Sequence, residues 1–81
     1  MDDIKETIRK MVAEILEMKP EQIGDDDLFI KDLGMDSLRA LEIMASVEKK
    51  YQIRIEEDML PKFTTLNETV KIVADVLNKQ K

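Results

Sequence analysis

The sequence predicts an all-α fold: a small four-helix bundle of three main helices and one short one, with a long loop between the first and second. Three observations carry that expectation. Apolar residues recur at helical spacing in three separate stretches. The two glycines and two prolines all fall between those stretches. The chain has 81 residues, the size of one small domain, which places residues 1–81 in a single unit. A chain this short buries only about 60–65% of the surface its unfolded form exposes, so its core is thin.

The first stretch, Asp3 to Met18, carries Ile4, Ile8, Met11, Val12, Ile15 and Leu16, the stripe of an amphipathic helix. Asp2 or Asp3 can cap its first turn, and Pro20 lies just past its end. Lys19 to Met35 has no sustained period and reads as a loop of about seventeen residues. Its apolar residues, Ile23, Leu28, Phe29, Ile30 and Leu33, are expected to fold back over the core. The second helix opens at Asp36 and runs to about Tyr51. Ile43, Val47 and Tyr51 make its core stripe, while Leu38, Leu41 and Met44 are displaced around the cylinder. Between Gln52 and Thr64 one short helical turn, closed by Pro61, is the most the residues support. The last helix begins with Thr65-Leu66-Asn67-Glu68, the pattern of a capping box. Leu66, Val70, Val73 and Leu77 continue it, and Lys79 and Lys81 suit its negative end.

Composition excludes several functions. Charged residues make up 38% of the chain against 43% hydrophobic, and the net charge is −5. A nucleic-acid partner needs a basic footprint, so none is expected; a partner with a basic patch is. There is no Cys and no His. The usual zinc sites, disulfide scaffolds, Cys nucleophiles and His-based triads are therefore out. No apolar stretch approaches the roughly 18–20 residues of a membrane span, so no membrane insertion is expected. Met1-Asp2-Asp3 is acidic where a targeting segment would be basic, and a cytoplasmic protein is the simplest expectation.

Candidate chemistry narrows to one stretch. Asp25 and Asp27 fit the first two ligands of an EF-hand loop, but Phe29 and Ile30 stand where a further ligand and the turn glycine belong, so no metal is expected. Charge pairs such as Glu6 with Lys10 read as helix-face solubility. The distinctive segment is Asp32-Leu33-Gly34-Met35-Asp36-Ser37-Leu38. It places a hydroxyl in the first turn of a helix, just after a capping Asp. Free N–H groups and the helix dipole favour a phosphate attached there. Gly34 permits a tight approach, and Leu33 and Leu38 flank the hydroxyl with apolar surface. The other reading is that Asp36 and Ser37 only start a helix, and spacing alone does not choose between the two.

The stretch resembles the modification site of acyl carrier proteins, whose core motif is Asp-Ser-Leu, usually after a Leu-Gly step. The similarity runs from about Ile4 to Leu77. It takes in Asp26-Asp27-Leu28-Phe29, Glu42, Glu48-Lys49-Lys50-Tyr51, the Ile53 and Ile55 step and Phe63-Thr64-Thr65-Leu66. The resemblance implies that Ser37 Oγ is esterified to 4′-phosphopantetheine, transferred from coenzyme A by a separate phosphopantetheinyl transferase. Gly34, Asp36 and Leu38 would surround the attachment point. The arm's thiol would hold an acyl cargo as a thioester, and the protein itself would not be an enzyme.

The resemblance also makes the second helix a recognition helix. Asp36, Glu42 and Glu48 match acidic positions that meet basic patches on acyl-transferring or synthase enzymes, and Leu38, Leu41 and Met44 would add an exposed apolar part. Arg39 departs from the family's usual acid, and Lys49 and Lys50 also stand where acids are common, which hints at a specialised, polyketide-type carrier with its own loading enzyme. The inner residues Ile8, Leu16, Ile43, Val47, Ile55, Met59, Leu60, Phe63 and Val73 are either an ordinary core or the lining of a groove for the acyl chain. The expected protein is a monomeric carrier in fatty-acid or related biosynthesis, with transient, charge-steered contacts. An aminoacyl or peptidyl carrier with the same cofactor, or an unmodified acidic adaptor, are the alternatives.

Overall fold

The computed structural model describes residues 3–79. The expected roles of Asp2 and Lys81 lie outside the described residues. Helix α1 spans Ile4–Leu16, and Asp3 caps it by accepting the Glu6 N–H at 3.4 Å. The helix ends with the stripe at Leu16, two residues before the expected stretch does, because Glu17 turns left-handed (φ 56°) and Met18 N–H closes back onto Ala13 O at 2.8 Å. Its inward face is Ile8, Val12 and Ala13, all buried.

The stretch expected to be loop is partly helical. A 3₁₀ turn covers Pro20–Gln22, and a short helix, α2, covers Phe29–Leu33. Five residues are too few to show a helical period in sequence. Tertiary anchoring forms the turn instead: Phe29 is fully buried, and its N–H reaches Thr64 O at 2.8 Å. Asp32 adds a local cap by accepting the Leu28 N–H at 2.8 Å. The fold-back holds for Ile23 and Phe29, whereas Leu28 and Ile30 stay exposed.

Asp36 caps helix α3, Ser37–Tyr51, which ends where Gln52 turns left-handed (φ 54°). Ile43 and Val47 are fully buried, as their stripe predicts, and Tyr51 is half-buried. The short turn between the last two main helices is a 3₁₀ helix over Glu57–Lys62. Pro61 lies inside it and does not close it, a correction to the sequence reading. A 3₁₀ helix this short loses only one ladder bond to the missing N–H, and Phe63 N–H still reaches Leu60 O at 3.0 Å.

Helix α4 spans Leu66–Lys79, and the Thr65 hydroxyl accepts the Glu68 N–H at 3.1 Å, the Thr half of the expected capping box. Its buried face is Leu66, Thr69, Ile72 and Val73, while Val70 and Leu77 only flank the core. Thr69 is admitted because its hydroxyl donates to Thr65 O at 2.9 Å, leaving no unpaired donor inside. Helix α1 packs against both α3 and α4. Every described element is helix, turn or loop.

Polar clasps hold the long connection between α1 and α2. The Arg9 guanidinium donates to Ile23 O and to Asp25, and it pairs with Glu6 at 3.0 Å. Lys5 also meets Asp25, at 3.0 Å. On the other side, the Asn67 amide donates to Asp26 at 2.9 Å and its N–H to Asp25 O at 3.1 Å. Hydrogen bonds from Arg9 and then Lys5 hold the Asp25 carboxyl below its ordinary value, and the same pairing raises Arg9 above its own. The acidic run is thus consumed in fastening the loop.

Candidate functional site

Three local devices present Ser37. Helix α2 ends at Gly34, whose φ of +71° suits a residue without Cβ and reverses the chain. Met35 then anchors the reversal: it is 3% exposed, and its N–H bonds Phe29 O at 2.9 Å. Asp36 lies extended and caps α3, its carboxylate accepting the Arg39 N–H at 2.9 Å and its carbonyl the Ala40 N–H at 3.0 Å. Ser37, the first helical residue, is exposed. The N–H groups of Ser37 and Leu38 fall in the first turn, where no carbonyl of their own helix can reach them, and the dipole makes this end positive.

Ser37 stands at the rim of an apolar cleft of about 460 Å³. Its lining comes from three parts of the chain: Leu28, Ile30 and Lys31 at α2, Ser37 and Ala40 of α3, and Leu60, Pro61, Phe63 and Thr64 before α4. That volume is about three times the roughly 150 Å³ apolar cavity that takes up benzene. On another part of α3 a second recess of about 470 Å³ is lined by Leu41, Met44, Ala45 and Glu48 together with Arg54 to Glu57.

The structure gathers Gly34, Asp36, Ser37 and Leu38 at one helix end, with Leu38 64% exposed. Leu41 is exposed and Glu42 half-exposed further along the same helix. Met44 corrects the sequence reading: it is 3% exposed and belongs to the core, in the same buried cluster as Ile43, Val47, Ile53 and Ile55. Glu48 is not a free surface acid either, since its carboxylate accepts the Ile55 N–H at 2.8 Å and fastens the segment after α3. Arg39 is tied down, donating to Ile15 O at 3.3 Å at the end of α1 and pairing with Glu42 at 3.6 Å. Lys49 and Lys50 are exposed.

The inner-face residues resolve differently from a groove. Ile8, Ile43, Val47 and Val73 are fully buried in a packed core. Only Leu60 and Phe63 of that set reach the open cleft. Its other lining, above all Ile30 and Lys31, escaped sequence reading. The available signal was an apolar pair, Leu28 and Ile30, on alternate residues around Phe29, directly after the acidic run Asp25-Asp26-Asp27.

The phosphopantetheine attachment site family matches residues 6–78 of this chain. The chain belongs to the acyl carrier protein family. It is 38% identical over 73 residues to polyketide-8 synthase acyl carrier protein 2 of Streptomyces avermitilis, covering 90% of this chain and 84% of that one. It is 36% identical over 75 residues to an acyl carrier protein of Caulobacter vibrioides, covering 93% and 96%. Among solved structures it resembles the HMG-ACPI domain from the CurA module of Lyngbya majuscula, with a TM-score of 0.82 at 28% identity, covering 95% of this chain and 77% of that one. Acyl carrier proteins are carriers, not catalysts, and phosphopantetheine is the family's covalent group. No helix among the described residues is long and apolar enough to cross a membrane.

Proposed function

We propose that Ser37 Oγ is the attachment point of 4′-phosphopantetheine and that residues 1–81 form one monomeric acyl-carrying domain. The supporting observation is the placement of an exposed serine hydroxyl on the positive end of α3, at the rim of an apolar cleft. Asp36 holds that helix end in register, and the first-turn amides of Ser37 and Leu38 offer donors to an anion. Gly34 opens the approach, since its Cα faces open space. When bound, the group supplies a thiol that holds an acyl cargo as a thioester.

The serving pathway is inferred to be specialised, polyketide-type acyl assembly. The likeness to a polyketide synthase carrier supports it, as do the internally paired Arg39 and the exposed Lys49 and Lys50 on the face that partners would read. The docking face comprises Asp36, Leu38, Leu41 and Glu42, with Arg39 held among them. It fits a phosphopantetheinyl transferase and acyl-handling enzymes with basic patches, met in the cytoplasm through brief, charge-steered encounters. Met44 and Glu48 line the adjoining recess and support this face from within.

Intact mass before and after incubation with coenzyme A and a broad-specificity phosphopantetheinyl transferase tests the assignment, with Ser37→Ala alongside. One phosphopantetheine and one new thiol are expected, both absent in the variant. No addition to the wild-type chain, with that transferase or with one from the host, rules the carrier reading out and leaves an acidic adaptor.

A further inference from the structure

We infer that Lys31 is a positioning residue for the phosphodiester on Ser37, and that it steers the attached arm into the cleft beside α2 and away from the recess at Leu41 and Met44. The inference rests on the assignment of Ser37 as the attachment point.

Lys31 and Ser37 line the same cleft, and Lys31 is the cation among its lining residues. The turn at Gly34 joins the end of α2, which carries Lys31, to the N-terminus of α3, so that both helices contribute to the lining of the cleft. Among the described residues no carboxylate lies within ion-pairing distance of Lys31; Lys10, Lys19, Lys49, Lys50, Arg54 and Lys62 also stand outside the ion pairs, but none of them lines this cleft. Three of the nearest acids in sequence are engaged elsewhere: Asp32 accepts the Leu28 N–H, Asp27 the Gly24 N–H and Asp36 the Arg39 N–H. An unpaired ammonium on a flexible stem suits a phosphate as a point charge.

The second recess has the opposite character. Glu48, Glu56 and Glu57 line it against Arg54 alone, so a singly negative phosphodiester meets net repulsion there. The two sides of α3 are thereby sorted by charge. The side with Lys31 takes the anionic root of the arm, and the acidic side stays uncovered for a cationic partner.

The test uses the holo protein, made with coenzyme A and verified by intact mass, labelled for amide and phosphorus NMR. In the wild type, the amides that shift on arm attachment should be those of Leu28, Lys31, Leu60, Phe63 and Thr64, with little change at Leu41, Met44 and Glu48. Lys31→Gln should lower the docked-to-free ratio of the arm about 1.5- to 5-fold, the range of an exposed ion pair, and move the phosphorus resonance. Lys31→Arg should restore both. In about 1 M salt, where the screening length is about 3 Å, the wild type should converge on Lys31→Gln. Lys31 is exposed, so these variants are expected to keep the fold. Identical amide shifts and phosphorus resonance in wild type and Lys31→Gln would overturn the inference, as would shifts concentrated at Leu41 and Met44. Failure of the wild type to accept the group would remove the Ser37 assignment first, and this inference with it.

Discussion

Asp36 has two separable duties, a hydrogen bond that starts α3 and a charge beside Ser37, and two substitutions part them. Asp36→Ala removes the 2.9 Å bond to Arg39 N–H and leaves a first-turn donor unsatisfied. Loss of such a cap costs about 1 kcal/mol, within a range of roughly 0.5–2. In a domain of this size that lowers Tm by about 4–8 °C. Asp36→Asn keeps an oxygen in the capping position, and Asn caps about as well as Asp, so its Tm should stay near wild type. The charge behaves differently. A unit charge about 10 Å from a basic group on a partner contributes roughly 0.4 kcal/mol in water, about a twofold change in encounter rate. Both variants should therefore load phosphopantetheine about twofold more slowly at low salt, and the difference should fade once the screening length falls below 10 Å. Thermal unfolding by circular dichroism and loading followed by intact mass read the two effects independently. Equal destabilisation by Asn and Ala would show that charge, and not the hydrogen bond, holds the helix end. Wild-type Tm in both would refute the cap.

Three further outcomes follow from the same geometry. Gly34→Ala meets no steric clash, since nothing lies within 4 Å of the added Cβ, so only the left-handed φ of +71° is penalised. The expected cost is about 1–2 kcal/mol, read as a lower urea midpoint with an unchanged slope. Phe29→Ala empties a fully buried site and should cost about 3–5 kcal/mol, enough to loosen α2 and the cleft wall, which amide exchange at Ile30 and Lys31 would detect. Asp25 has a folded-state pKa below its unfolded value, so its contribution is present above the unfolded carboxylate value of about 4 and is lost as pH falls through the lower folded value. Asp25→Asn should therefore flatten the acid limb of the stability–pH curve, and a limb as steep as wild type would refute the clasp to Arg9 and Lys5.

Much of this was legible in the residues. The three long stripes declared their helices because ten or more residues repeat the period enough times to be seen, and Asp3, Asp36 and Thr65 announced where those helices begin. The Asp-Ser-Leu step drew attention to Ser37, because local chemistry alone puts a hydroxyl on a helix N-terminus. Helix α2 was not legible, since one turn and a half has no period and exists through the burial of Phe29 and the bond from its N–H to Thr64. Thr69 was missed as a core residue for a similar reason: its polarity is cancelled only by a bond to Thr65 that the folded helix supplies.

The sequence by itself determined the three long helices, where they start, and the serine hydroxyl at the start of α3, all set by interactions within a few residues. Only the tertiary structure decided which apolar residues became wall and which became core, for that depends on what packs across from them. Ile43 and Met44 were buried in the core cluster, whereas Leu38 and Ile30 lie outside it and stayed 64% exposed. Lys31 came to share a cleft with Ser37 because Phe29 and Gly34 turn the chain back between them, and neither spacing nor charge pattern carries that.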